Sequence, residues 1–402
     1  MDLEEALASL KAQLLPITEV EHCALQHCRG RVLAKPVTAK LSLPPFRASA
    51  MDGYAIQAGK HDQLLTVIGE SLAGHPFQGD IGPEECVRIF TGALVPANAG
   101  QIILQEEVAE REGNQVRFNA HTPSESYIRP IGNDLKLGSQ IADQGDVLNP
   151  FLMGSLSSAG VSSVEVFRRP VIGVFSSGDE LRDPGVGVKD LLEGQIYDSN
   201  RLTVMQLLAT MPVEVRDLGR LADEANIVSE ALTNSAQVCD AMITSGGVSV
   251  GDADYISETI EKLGTLAFWR LNLKPGKPMA FGKIENCWIF GLPGNPVSTI
   301  VTALLLVRPA LATLAGTVSE PPLRIKAKLT TSLQHQPGRT EYQRGIFTQL
   351  SGEFVVGHTG DQGSNRLSTF HNANCLIEVD KTVGDLQSGD WVNIVPLTSL
   401  IN

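Results

Sequence analysis

Apolar positions along the chain fall into two rhythms that change from region to region. Leu3, Ala6, Leu10 and Leu14 recur at helical spacing and predict an amphipathic helix over residues 2–14. Residues 17–27 read as a second short helix, and 30–37 as a strand. From residue 43 to about 138, short β-like runs at 63–69, 85–90, 101–104, 115–118 and 127–129 are separated by Gly and Pro, which predicts a small β domain. Residues 150–159 read as a helix returning beside the first ones. From Pro170 onward, apolar runs at 171–175, 213–218 and 240–244 alternate with helical patterns at 199–209 and 223–236. A helix near 252–263, strands around Phe281 and Trp288 and a long helix over 297–315 follow. Strands alternating with helices imply a parallel, doubly wound sheet. Pro321-Pro322 marks a linker. The runs 324–330, 341–348, 353–357, 375–379 and 391–396 after it predict a compact C-terminal β domain. The expected division is 1–42 with 139–168 as a discontinuous N-terminal linker and helical domain, 43–138 as an inserted β domain, 169–318 as the α/β domain and 319–402 as the C-terminal β domain.

Charge changes the picture. The 402 residues carry a net charge of −13, which argues against a broad surface for nucleic acid or anionic membrane. A protein this acidic that binds an anion must gather its cations locally, and Arg270, Lys274 and Lys277 form such a group. The start, Met-Asp-Leu-Glu-Glu, has the wrong charge for a secretory leader. The most apolar run, 297–307, stops at Arg308-Pro309, short of a membrane span, and reads as a buried helix. A cytoplasmic protein with reduced cysteines is expected. His22-Cys23 with His27-Cys28 imitates a metal site, but no second ligand pair lies nearby, and these read as ordinary helix positions.

Three glycine-rich stretches carry the candidate chemistry: Ser245-Gly-Gly-Val-Ser-Val-Gly-Asp-Ala-Asp-Tyr255, Lys274-Pro-Gly-Lys-Pro278 and Gly291-Leu-Pro-Gly-Asn-Pro-Val-Ser298. The first and third each join an apolar strand to a helix. That arrangement aims backbone N–H groups at an anion. The second adds two lysines on a stiff turn. Together with Ser176-Ser-Gly-Asp-Glu180, the strand-following loops should share one edge of the sheet, where ligands of such folds bind. Carboxylates at Asp52, Glu180, Asp198, Asp252 and Asp254 are candidates for a divalent cation, Asp252 reading more simply as a helix cap. No nucleophile–base pair is visible. Ser245, Ser249 and Ser298 read as hydroxyl donors to an oxyanion. No Gly-Lys-Ser/Thr follows a Gly-x4 stretch, so this is not a Walker loop. The site reads as electrostatic positioning for phosphoryl chemistry.

In order and spacing, Pro44-Pro45-Phe46, Ser49-Ala-Met-Asp-Gly-Tyr54, Ser177-Gly-Asp-Glu180, Gln195-Ile-Tyr-Asp-Ser-Asn200 and the three loops resemble the molybdopterin molybdenumtransferase family, the MoeA and gephyrin E-domain group. The resemblance covers nearly the whole chain. It implies an α/β multidomain protein: a central doubly wound MoaB/MogA-like domain, an inserted β domain, a small helical N-terminal region and a C-terminal β-barrel-like domain. It implies insertion of molybdate into adenylylated molybdopterin with release of AMP, dependence on Mg²⁺, and a homodimer with the site between subunits. The adenylyltransferase that makes the substrate, and apo-molybdoenzymes or their chaperones, are the implied protein partners. By position, Asp52, Glu180, Asp223, Asp254, Arg270 and Lys274 match catalytic residues, with Glu180, Asp198 and Asp254 as metal ligands. Thr91, Ser245, Gly246, Gly247, Ser249, Lys277, Pro278, Pro293, Gly294, Pro296, Ser298, Arg344 and Ser364 match substrate- or anion-binding positions. Asp134 matches more loosely. Three departures stand out: Arg47 where an acid is usual, Ser177 where Thr is common, and Cys375 in place of a turn Gly.

Two other readings stay open on the residues. One is an adenylyltransferase acting on molybdopterin with ATP, which shares the Gly-loop domain but usually lacks the two β domains. The other is a non-catalytic pterin carrier or scaffold, against which the full set of acids and loops argues.

Overall fold

The computed structural model describes residues 1–60, 63–119, 126–248, 255–317 and 321–401. Helix α1, Leu3–Gln13, is followed by a strand, β1, Val20–Ala24, and a single 3-10 turn. The helix expected over 17–27 is therefore mostly strand. Val20, His22 and Ala24 alternate with Glu21 and Cys23, and β1 pairs antiparallel with Ser163–Phe167 instead of closing helical turns. Cys28 is buried beyond β1. The His22-Cys23 and His27-Cys28 pairs thus do not share a helix face.

The inserted β region holds β2 (Gly53–Ile56), β3 (Leu65–Ser71), β4 (Glu85–Ile89), β5 (Gln101–Leu104), β6 (Val108–Glu112) and β7 (Gln115–Phe118). They form one sheet in the order β5-β2-β4-β3-β7-β6. β2 is a central strand that the apolar pattern did not reveal. It sits inside the Met-Asp-Gly-Tyr motif, where the Cβ missing from Gly53 would lie 2.0 Å from the Ile103 carbonyl oxygen. Helix α2, Pro150–Ser158, and β8, Ser163–Phe167, bring the chain back to pair with β1.

The α/β region contains β9 (Val171–Ser177), α3 (Asn200–Leu208), β10 (Glu214–Leu221), α4 (Ala225–Ala236), β11 (Ala241–Ser245), α5 (Tyr255–Leu263), β12 (Thr265–Arg270), β13 (Pro278–Ile284) and β14 (Cys287–Leu292). Helix α6 then runs without a break over Pro296–Leu314. The sheet order is β10-β9-β11-β14-β13-β12. Its first four strands are parallel, but β13 runs antiparallel to both of its neighbours, β14 and β12, so the expected parallel sheet is mixed. The short Glu285-Asn286 link between β13 and β14 leaves no room for a crossover helix and forces a hairpin. Alternate residues feed the two faces. Ala241 and Ile243 pack with α1, α3 and α6, while Met242 packs with α4 and α5.

Helix α6 passes through Arg308-Pro309, where the apolar run ends, and spans the long helix expected over 297–315. A π segment at Ala303–Val307 adjusts the backbone just before the proline, whose ring cannot donate to the helical ladder. Arg308 is buried, and its guanidinium donates to the carbonyls of Leu207 and Ile401 and to the Thr210 hydroxyl. The helix is long and apolar enough to cross a membrane but lies largely inside the protein core.

The C-terminal strands β15 (Ile325–Leu329), β16 (Thr340–Leu350), β17 (Glu353–His358), β18 (Cys375–Val379) and β19 (Trp391–Pro396) close a five-stranded barrel, β16-β17-β15-β19-β18-β16. A two-residue strand, Leu273–Lys274, pairs parallel with the start of β16, so the barrel and the α/β region share a seam.

Candidate functional site

The strand ends form the first half of the site. Gly246 and Gly247, after β11, have φ of +92° and +70°, a region that only glycine enters cheaply. A Cβ on Gly246 would lie 2.4 Å from the Ser177 carbonyl oxygen, and one on Gly247 would lie 2.6 Å from Ile256. The Gly246 N–H donates to the Leu292 carbonyl at 3.1 Å, and the Gly294 carbonyl accepts from the Asn200 amide at 2.7 Å. The loops after β9, β11 and β14 therefore meet on one edge. The Ser177 hydroxyl donates to Asp223 at 2.6 Å, and Asp179 accepts from the Asp223 N–H at 3.2 Å. Ser in place of Thr at 177 keeps the donor that orients Asp223. The Ser176, Thr244 and Ser245 hydroxyls are buried here with no hydrogen-bond partner among the described residues, an unusual cluster for a folded interior. Ser249, Asp252 and Asp254 lie outside the described residues.

The second half is a cleft of about 840 Å³ along the seam between the α/β region and the barrel. Lys274, Lys277, Pro278, Ser298 and Ser364 line it together. Gly276 lets the lysine turn press on α6, since a Cβ there would lie 2.6 Å from the Thr302 hydroxyl. The Val297 N–H, in the first turn of α6, donates to the Ser364 carbonyl at 3.0 Å. That bond fastens the barrel loop over the positive end of the helix. Pro296 occupies the start of α6, and the buried Thr299 hydroxyl donates to the Pro293 carbonyl. These two prolines thus join the strand-end edge to the cleft. Arg270 is exposed on β12, in register with Pro278.

Arg344 does not line the cleft, contrary to expectation. It is fully buried, and its guanidinium donates to the carbonyls of Asp361, Gln362 and Gly363 and to the Thr369 hydroxyl. Burial pulls its pKa down to about 10. Its contribution is to shape the loop that presents Ser364.

Asp52 and Thr91 sit elsewhere, in the inserted β region. Asp52 Oδ1 accepts from the Thr91 N–H and from its hydroxyl, both at 2.7 Å, which holds the carboxyl below its ordinary value of 3.8. Arg47 donates to the carbonyls of Ala97 and Ala99 and braces the same region. Asp134 is exposed in a separate turn. Cys375 is no longer part of a turn. It opens β18 and packs against Gly345, whose missing Cβ would lie 3.0 Å from its sulfur.

Of the three expected metal ligands, Asp254 lies outside the described residues. Asp198 is buried and spent on Arg201, accepting from its N–H at 3.2 Å and its Nε at 3.1 Å, while Arg201 also pairs with Asp183 and Asp217. Glu180 is exposed beside Gly178. Among the described residues no group of three His, Cys, Asp or Glu side chains could hold a metal ion.

Sequence reasoning missed Glu341, Arg339, Asp361 and Gln362, all of which line the cleft. They lie some sixty residues or more beyond the lysines and carry no motif. The one available signal was an acid, Glu341, at the start of a run read as a buried strand.

Three family models match the chain: "MoeA N-terminal region (domain I and II)" over residues 1–160, "Probable molybdopterin binding domain" over 173–313 and "MoeA C-terminal region (domain IV)" over 326–397. A molybdopterin molybdenumtransferase of Haemophilus influenzae is 39% identical over 405 residues, covering 100% of both chains. Gephyrin of Dictyostelium discoideum is 30% identical and covers 96% of this chain and 60% of its own. Among solved structures, the molybdopterin biosynthesis MoeA protein of Pyrococcus horikoshii superposes with a TM-score of 0.82 at 28% identity, covering 98% of this chain and 99% of that one. With strand-end glycine loops, a lysine cleft at the barrel seam and matches that span the whole length, the chain belongs to the molybdopterin molybdenumtransferase (MoeA) family.

Proposed function

We propose that the protein transfers molybdate onto adenylylated molybdopterin and releases AMP, a step of molybdenum cofactor biosynthesis. The observation that carries this reading is the cleft that gathers Lys274, Lys277, Ser298 and Ser364 beside the glycine loops. Two fixed ammonium groups, serine side chains and the N-terminus of α6 offer a tetrahedral oxyanion charge and hydrogen-bond donors at once. The strand-end edge, with backbone N–H groups and orphaned hydroxyls, suits the phosphates of the nucleotide. Two anions brought together repel each other, and the lysines offset that cost.

A requirement for Mg²⁺ belongs to the same proposal. Glu180 presents an open carboxylate, whereas Asp198 does not fit as a ligand because Arg201 occupies it. A homodimer is proposed with it. Asp52 and Thr91 lie outside the cleft, and exposed apolar side chains such as Phe151 and Leu137 offer a surface for a second copy. The six free cysteines suit a reducing cytoplasm. The adenylyltransferase that supplies the substrate and the apo-enzymes or chaperones that accept the product are its proposed protein partners.

Purified protein should release AMP from adenylylated molybdopterin only when molybdate and a divalent cation are both present. Tight binding without AMP under every condition would leave a carrier built on this fold.

A further inference from the structure

Two carboxylates line the oxyanion cleft. Asp361 is exposed and engaged with the Gly363 N–H and Arg366. Glu341 is buried, at 4% exposure, and its Oε2 lies 3.0 Å from the Lys274 ammonium. The backbone sets this pair: Lys274 and Glu341 are register partners in the parallel seam that joins the α/β region to the barrel. Behind Glu341, the His335 ring lies 3.9 Å from the same carboxylate oxygen, wedged between the carbonyls of Val383 and Arg339 at 2.6 Å and 3.0 Å. That oxygen is buried and accepts no hydrogen bond among the described residues, so the Lys274 ammonium is its counter-charge and little water reaches it.

An acid held so close to an oxyanion site works against the oxyanion, because Lys274 cannot offer its full charge to two anions. We propose that Glu341 is an internal competitor for Lys274, a positioning residue that the incoming oxyanion must displace from the ammonium. Glu341 holds Lys274 over the cleft when the cleft is empty. When the cleft is filled, it weakens the ground-state hold on the oxyanion, which leaves the oxyanion free to move onto the acceptor. Enzymes gain turnover by avoiding ground-state binding of this kind. The inference rests on the cleft being the oxyanion site.

The test uses the full chain, with molybdate alone as the probe in titration calorimetry and AMP release as the kinetic readout. Glu341→Gln should tighten molybdate binding about tenfold. KM for molybdate should fall with it while kcat also falls, a split that simple damage to the fold would not produce. In a Lys274→Ala background the tightening from Glu341→Gln should shrink below about twofold, because the two groups act as a pair. Unchanged or weaker binding in Glu341→Gln overturns the inference, as does full tightening without Lys274. If Glu341→Gln does not fold, Glu341→Asp withdraws the carboxylate by one methylene and should tighten binding about threefold; no change there overturns it too. A wild-type protein that binds no molybdate would sink the oxyanion reading itself. Molybdate binding that depends on Lys277 but ignores Glu341→Gln would sink only this inference.

Discussion

The strand-end edge and the seam cleft, the two halves of the proposed site, are built in different ways. At the edge the backbone does the work: Gly246 and Gly247 are packed so tightly that a Cβ would collide with the Ser177 carbonyl or Ile256, and the hydroxyls there are buried with no hydrogen-bond partner among the described residues. In the cleft, side chains do the work. Lys274 and Lys277 line about 840 Å³ of open space, and Lys274 pairs with Glu341 from another part of the chain. The edge should therefore be intolerant of shape changes and indifferent to charge, and the cleft should be the reverse.

The largest expected effect breaks the edge. Gly246→Ala places a methyl 2.4 Å from a backbone oxygen at φ +92°. It should cost about 3 kcal/mol of stability and abolish turnover, read as a lowered Tm and loss of AMP release. Gly294→Ala is the internal control. Its Cβ would meet Gly246 Cα at 3.8 Å, an ordinary contact, so stability should stay within about 0.5 kcal/mol of wild type. Equal damage from both would mean that the loss does not come from close packing at Gly246.

In the cleft, Lys277→Ala should leave Tm nearly unchanged, since the lysine is exposed, and lower kcat/KM for molybdate about a hundredfold. A comparable loss from Gly246→Ala without any fall in Tm would mean that the edge, too, acts through charge.

The contrast also explains what the sequence could show. Loops built from backbone are written locally, so Ser245-Gly-Gly and Gly291-Leu-Pro-Gly were legible as strand-end loops, and the strands that carry them were legible from their apolar runs. β2 escaped because its Met-Asp-Gly-Tyr segment has no alternation; its strand character comes from neighbours β4 and β5. Glu341 escaped because its meaning depends on register with Lys274, a pairing across 67 positions that no local pattern encodes. Arg344 was placed in the pocket by position alone, and its burial behind the 361–363 carbonyls was visible only in three dimensions. Asp198 was read as a ligand because carboxylates near bound phosphates seat divalent cations; Arg201, three residues on, claims it instead.

A third region sharpens the comparison, because Asp52 and Thr91 belong to neither half within one chain. In the proposed homodimer the inserted β region of one copy completes the site of the other. Asp52→Asn and Lys274→Ala variants, each inactive alone, should then regain about a quarter of wild-type activity when co-expressed, since half the dimers are mixed and each mixed dimer holds one intact site. No recovery in mixed dimers that demonstrably form would place Asp52 in the same-chain site or outside catalysis.

The smallest effect concerns how Asp52 is held. Its carboxyl lies below 3.8 chiefly because the Thr91 N–H donates to it and secondly because the Thr91 hydroxyl does. A folded-state pKa below the unfolded one contributes stability that is fully present above the unfolded value and is lost as pH falls through the folded value. Thr91→Val removes the hydroxyl donor and keeps the backbone one, so the Asp52 pKa should rise only part of the way back. Wild type should exceed Thr91→Val in Tm by a small, constant margin at pH well above the ordinary carboxyl value, and the margin should close as pH falls through the lowered folded value of Asp52. A margin that persists at low pH would mean that Thr91 acts by packing and not by holding the charge of Asp52. The Asp52 resonance in a carboxyl titration should move upward in the variant by the same reasoning, and a stationary resonance would separate the two causes.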